Sequence, residues 1–300
     1  MSHASAYNKH KKFNLTSICD HSNNNLKKFS EKWGSPNIYQ DLVEMLKVER
    51  PHILSICTPT NYHFDHLMLT LQSEWTPKVI FLEKPCCNTE NEFFEIVKEL
   101  KNNDCEVFVN HIRRFCNGHH KLKEIIRNKE LGNLLSGSIY YYGDWMNNGC
   151  HIIDTLHMLF EKKIKIKNVA QKYFNDPNKL FLDLNILINE SEIKIKVFDE
   201  TYFQIYESYL FFEKGRVNIT DFGSEIFVQK VVINDWGEKV LSEIPGSPIK
   251  GLDSTFYFAL DKISKYLDGE TVNELLGTAL IDVQTTMNIL WESRKKLIKG

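Results

Sequence analysis

From Leu15 to Val109 short apolar runs alternate with segments of helical periodicity, and past Phe115 the alternation gives way to a series of strands. Nothing else in the sequence constrains the fold as strongly. The first runs, Leu15–Cys19, His52–Cys57, Val79–Leu82 and Glu106–Val109, are separated by helical stretches at Asn25–Trp33, Asp41–Val48, Phe64–Gln72 and Asn91–Lys101. Strands joined through helices pair in parallel, so this half is expected to be a doubly wound α/β sheet. After a helix at Lys121–Asn128 come runs at Ile139–Tyr142, Ile164–Phe174, Leu180–Ile188, Ile193–Phe198, Ile205–Phe212, Val217–Thr220 and Ile226–Ile233. These successive strands imply a large antiparallel sheet, with Glu213-Lys214-Gly215 as a hairpin signal. Helices return at Ser254–Leu267 and Glu274–Leu297. The expected division is a first domain at 1–117 and an α+β domain at 118–300 that includes the C-terminal helices.

Composition removes several function classes. Lys and Arg total 37 against 39 Asp and Glu, a net charge of −2, so no basic footprint for nucleic acid exists. No apolar run approaches the ~20 residues of a membrane helix, so no membrane partner is expected. Met1–Asn14 is polar and carries no secretory signal. The 7 cysteines are odd in number and form no C-x-x-C pair. Reduced thiols in a cytoplasmic protein are the expected state, with no zinc site. The adjacent Cys86 and Cys87 are expected to be packing residues.

Certain residues point to chemistry by position. Asp20 closes the first apolar run. In a dinucleotide fold an acid at the end of the second strand bonds the adenosine ribose, about 20 residues after the glycine-rich phosphate turn. Counting back from Asp20 reaches Met1, and Ser2–His10 reads as the helix that follows that turn. The chain is thus expected to begin just after its phosphate loop, lacking the first strand. A carboxylate at Asp20 favours NAD over NADP by repelling a 2′-phosphate, a preference that His21 and Ser22 beside it soften. Thr58, Pro59, Asn61 and His63 follow the strand expected to flank the nicotinamide half. Lys84 follows a buried-type strand at the end where open α/β sheets place ligands, and there it can stabilise a developing alkoxide. His151 opens the apolar helix Ile152–Phe160 and suits proton transfer near neutral pH. Asn147, four residues earlier, can orient substrate or His151, and Asp154 can cap or orient. His151, Asp154 and His157 fan too widely over one helix to gather on a metal ion.

Ser2-His3-Ala4-x-Ala6-Tyr7, Cys57-Thr58-Pro59-Thr60-x-x-His63, Glu83-Lys84-Pro85, Arg114-Phe115 and Gly149-x-His151-x-x-Asp154 occur in that order. Together they resemble the Gfo/Idh/MocA family, the glucose–fructose oxidoreductase and inositol dehydrogenase group. The resemblance implies a Rossmann domain followed by an open-faced antiparallel sheet domain. It implies hydride transfer between NAD or NADP and a secondary alcohol of a sugar, nucleotide sugar or cyclitol. Lys84, His151 and Asn147 become the catalytic set, meeting across the interdomain cleft. His3 and Glu83 join the cofactor set, and Arg114, Asn147 and Asp154 the substrate set. The chain departs from the family in lacking the glycine motif and in carrying Asn147 where many members have aspartate. The form Asn147-Asn148-Gly149-x-His151 is similar to members associated with glycan and nucleotide-sugar biosynthesis. The alternative is a truncated, non-catalytic paralogue that binds a sugar or a partner. The apolar sheet face is expected to make a homodimer or homotetramer.

Overall fold

The structure is a computed structural model that describes residues 2–34, 36–252, 255–270 and 278–298. It divides into two compact units, Met1–Phe115 with Ser254–Gln284, and Cys116–Asp253 with Thr285–Gly300.

In the first unit the order is α1 (His3–Lys9), β1 (Ser17–Cys19), α2 (Asn23–Trp33), β2 (Asn37–Tyr39), α3 (Leu42–Glu49), β3 (Ile53–Ile56), α4 (His63–Leu71), β4 (Val79–Leu82), α5 (Glu90–Leu100) and β5 (Glu106–Val109). β1 pairs in parallel with β2, and β4 lies between β3 and β5 in a second parallel sheet. All four residues of β4 are buried, which is why this strand reads as an unbroken apolar run. The helices start where side chains satisfy the first free amides. Asp41 accepts from Glu44 N–H at 2.7 Å, and Thr89 with Glu92 forms a reciprocal capping box on α5.

The second unit contains α6 (Asn117–Arg127), β6 (Leu134–Tyr142), α7 (Cys150–Phe160), β7 (Ile164–Lys172), β8 (Phe181–Ile188), β9 (Ser191–Phe198), β10 (Tyr206–Phe212), β11 (Gly215–Thr220), β12 (Glu225–Ile233), β13 (Lys239–Glu243) and β14 (Ile249–Lys250). Its nine-stranded sheet runs β13-β12-β11-β10-β6-β9-β8-β7, with β14 beside β12. The hairpin expected at Glu213-Lys214 is present, since Phe212 pairs with Gly215. The sheet is antiparallel as expected except at one place, where β6 pairs in parallel with β9. The chain leaves β6 through α7, so its return is a crossover rather than a hairpin. Ile152, Leu156 and Leu159 of α7 line one crevice with Ile139, Leu210 and Ile219 of the sheet, so α7 covers that face. The other face carries a partly exposed aromatic row in which Tyr140 meets Phe198 at 6.0 Å and Tyr209 at 6.1 Å.

Two helices follow, α8 (Thr255–Leu267) and α9 (Leu280–Ile298). The sequence reading gave both to the second domain. Instead α8 packs in the first unit, where Ala259, Leu260 and Ile263 share a buried cluster with Ala6, Tyr7, Phe81, Phe108 and Phe115. Its amphipathic pattern revealed an apolar face but not what covers it. Each large side chain buried there contributes roughly 1.5–3 kcal/mol of transfer free energy. The early part of the expected helix at Glu274–Leu297 falls on 271–277, outside the described residues.

Candidate active site

The carboxyl ends of β3, β4 and β5 are laced together by backbone hydrogen bonds. Glu83 N–H donates to Ile56 O at 3.0 Å and Asn110 N–H to Leu82 O at 2.8 Å. Glu83, the first residue beyond β4, is then gripped by two side chains. His3 Nε2 lies 2.8 Å from Oε1, and Asn110 Nδ2 donates to the same oxygen at 2.7 Å. The other nitrogen of His3, Nδ1, is 3.2 Å from Ser55 Oγ, which is 2.9 Å from the Tyr7 hydroxyl. His3 and Tyr7 can both reach inward because they are four residues apart on α1.

The electrostatics of the pair follow from its partners. Burial disfavours charge on His3, but hydrogen bonds and charge from Cys57 and Glu83 outweigh it and raise its pKa to about 9. Burial alone would raise the Glu83 pKa, yet His3, the Asn110 amide and the Lys84 charge hold it below the usual carboxylate value. His3 and Glu83 therefore form a charged pair at neutral pH. Lys84 comes next in the chain, half-buried, and precedes a cis bond to the buried Pro85. The Glu83 anchor fixes the backbone from which Lys84 projects.

Other residues expected to meet a cofactor differ in what the structure lets them do. Thr58 is half-buried at the end of β3, its Oγ1 3.1 Å from His66 Nδ1, while Pro59 and Asn61 are exposed. His63 is fully buried, with Nδ1 2.8 Å from Pro85 O and Nε2 2.8 Å from Thr58 O. Both ring nitrogens face main-chain carbonyls, so His63 braces the two loops that follow β3 and β4. Asp20 lies at the end of β1. Its Oδ1 accepts from Ser22 N–H at 2.8 Å and its Oδ2 from Asn25 Nδ2 at 3.2 Å. Ser22 Oγ is the N-cap of α2, accepting from Asn25 N–H at 3.4 Å, and the His21 side chain is 96% exposed. Arg114 is buried in the turn after β5, where its charge acts on Asp282.

The second unit holds the remaining candidates on the turn Trp145–Gly149 and the start of α7. Asp144 shapes this turn by accepting from Asn147 N–H at 2.9 Å and Leu180 N–H at 2.8 Å. Trp145 is completely buried and its Nε1 donates to Ser293 Oγ at 2.8 Å. The Trp145 ring lies against Gly149, where a Cβ would stand 2.2 Å from Cε3. That close approach is the physical content of the Gly149-x-His151 spacing. His151 is half-buried with its ring edge-on to Tyr206 at 6.5 Å, and Asn147 is exposed. Asp154, only 1% exposed, accepts from Thr286 Oγ1 at 3.4 Å. The same hydroxyl is 3.2 Å from His157 Nδ1. Asp154 thus belongs to a buried polar contact with Thr286 of α9.

Residues 1–111 match the family described as "Oxidoreductase family, NAD-binding Rossmann fold". The matched family is Gfo/Idh/MocA. A D-glucoside 3-dehydrogenase of Escherichia coli is 24% identical over 132 residues, 44% of this chain and 37% of that protein, so the chain spans about a third of this curated relative. An aldose-aldose oxidoreductase from Caulobacter crescentus, solved with glycerol, superposes with TM-score 0.80 at 14% identity, covering 99% of this chain and 93% of that one. The WlbA dehydrogenase from Bordetella pertussis, solved with NADH and UDP-GlcNAcA, superposes with TM-score 0.77 at 16% identity, covering 98% and 92%. These two structures share the fold over nearly the whole chain. Ser55, Asn110, Asp144, Trp145 and Ser293 were not singled out from the sequence. Only Trp145 carried a signal, as a tryptophan four residues before the motif glycine.

Proposed function

We propose that the chain is an NAD(P)-linked oxidoreductase that moves a hydride between nicotinamide and a secondary alcohol of a sugar, nucleotide sugar or cyclitol. The observation that supports this most is the setting of Lys84, directly after a carboxylate held by His3 and Asn110 at the carboxyl end of β4. The donor set suits the two ends of a dinucleotide. Asp20, oriented by Ser22 N–H and Asn25, supplies carboxylate acceptors for a ribose diol, and that charge favours NAD. Thr58, Pro59, Asn61 and Lys84 stand at the strand ends that would take the nicotinamide half.

When bound, the nicotinamide supplies the hydride acceptor or donor. Lys84 holds the carbinol oxygen and stabilises the charge that develops on it. His151 takes the hydroxyl proton in oxidation and returns it in reduction. Asn147, an amide with no proton to exchange at neutral pH, orients. The names of the relatives support the substrate class: a glucoside for one, a UDP sugar for another.

Single-turnover hydride transfer from C-deuterated monosaccharides, inositols and nucleotide sugars to NAD and NADP tests the reading. Deuterium appearing on the reduced nicotinamide with one substrate class is the expected result. Sugar binding by calorimetry with no transfer from any of them would favour a binding protein instead.

A further inference from the structure

The outer edge of the large sheet is self-complementary. β13 ends the strand order, and its five residues, Lys239-Val240-Leu241-Ser242-Glu243, are all exposed. Edge strands of soluble proteins are commonly blunted by charged side chains, proline, a bulge or a very short length, and the two charges of β13, Lys239 and Glu243, are of opposite sign. β13 has no proline, and its ladder with β12 runs from Gln229–Glu243 to Ile233–Lys239 without a shift in register. Beyond the two ends of that ladder, Asn234 N–H donates to Glu238 O and Ile244 N–H to Val228 O, both at 3.0 Å. Those bonds set the alternation. Val240 and Ser242 turn their backbone groups toward β12, so Lys239, Leu241 and Glu243 turn theirs outward.

We infer that β13 pairs antiparallel with β13 of a second copy about a two-fold axis at Leu241. In that register Leu241 faces Leu241 of the other copy, and each Lys239 faces the other copy's Glu243. Every outward backbone group then meets an outward partner. Shifting the centre by one residue to either side pairs Lys239 or Glu243 with Leu241 and loses both ion pairs. The side chains of Lys239, Leu241 and Glu243 share one face with Val231 and Ile233, their neighbours on β12. There Val231 is 37% exposed, Leu241 42% and Ile233 71%. Pairing joins the two apolar strips into one across the axis, an isologous contact that closes on itself. This association rests on no assumption about catalysis, and it uses the edge rather than the broad aromatic face of the sheet.

The test is sedimentation velocity of the full chain across a concentration series, with circular dichroism as the control for folding. Wild type is expected to dimerise. Leu241→Pro removes an outward N–H that β12 does not use, so the fold is expected to stand while dimerisation weakens at least about tenfold. Glu243→Lys sets lysine against lysine at both ends and is expected to weaken dimerisation by about tenfold. Adding Lys239→Glu to Glu243→Lys restores opposite charges and is expected to recover wild-type affinity to within about threefold. Should Leu241→Pro disturb folding, the charge reversal and its rescue decide alone. A wild-type monomer at about 100 μM, or a dimer that neither Leu241→Pro nor Glu243→Lys weakens, overturns the inference.

Discussion

Nε2 of His3 stands 2.8 Å from Oε1 of Glu83, across 80 residues of sequence, and this contact ties the first helix to the end of the central buried strand. It also sets how the first unit responds to pH. His3 has its pKa raised from 6.5 to about 9, so its stabilising contribution is complete below 6.5 and is lost as pH rises through about 9. Glu83 has its pKa lowered from 4.5, so its contribution is complete above 4.5 and is lost as pH falls through the lowered value. The pair thus supports a plateau between these limits. His3→Gln should remove the alkaline loss, which is on the order of 3 kcal/mol at most. Denaturant melts of both proteins from pH 6 to 10 measure it, and parallel slopes above pH 8 would exclude the pair as the cause.

Gly149→Ala should destabilise the second unit by about 1–3 kcal/mol, because the new methyl meets the Trp145 ring at 2.2 Å and that ring is fixed by Ser293. The backbone at Gly149 is ordinary helix, φ −62°, so the cost is one of space alone. Equilibrium unfolding followed by tryptophan fluorescence reads the loss. Unchanged stability would mean that Trp145 can move aside at no cost.

Lys84→Ala and His151→Ala should each reduce single-turnover hydride transfer by about 10²–10⁴-fold, with NAD affinity changed little. Asn147→Ala should cost less, since an amide only orients, and Asn147→Asp should be tolerated. Near-wild-type turnover in His151→Ala would remove it as the base and leave Lys84 as the candidate for proton transfer.

Asp20→Ser should move cofactor preference toward NADP by about tenfold or more, because it deletes the carboxylate that opposes a 2′-phosphate. Calorimetric titration of both cofactors against both proteins gives the ratio. An unchanged ratio would show that Asp20 serves only Ser22 and Asn25 at the start of α2.

What the sequence disclosed and what it withheld divide along separation in the chain. Strand β4 and the helices of the first unit were legible because apolar runs and caps are local signals. The His3–Glu83 pair was not, because nothing local marks two residues 80 apart as partners. His63 was read as a cofactor contact because it closes a motif. Its contacts with the carbonyls of Thr58 and Pro85 leave no mark in that motif. The Asp154 contact with Thr286 was likewise not legible, since the two residues are 132 apart in the chain. Strand β13 went unread because alternation of burial identifies a strand, and all of its residues are exposed.

The parallel pairing of β6 with β9 has a consequence for biosynthesis. β6 lies between β10 and β9, and both are made after it. As the chain leaves the ribosome, Leu134–Tyr142 emerges with three consecutive tyrosines and no neighbour to pair with. Its first possible partner begins at Ser191 and its second at Tyr206. β7, β8 and β9 can meanwhile assemble as a meander of short-range hairpins. The strand at the middle of the finished sheet therefore waits longest between its synthesis and its enclosure, and for that interval it is the segment most open to chaperones and to mispairing.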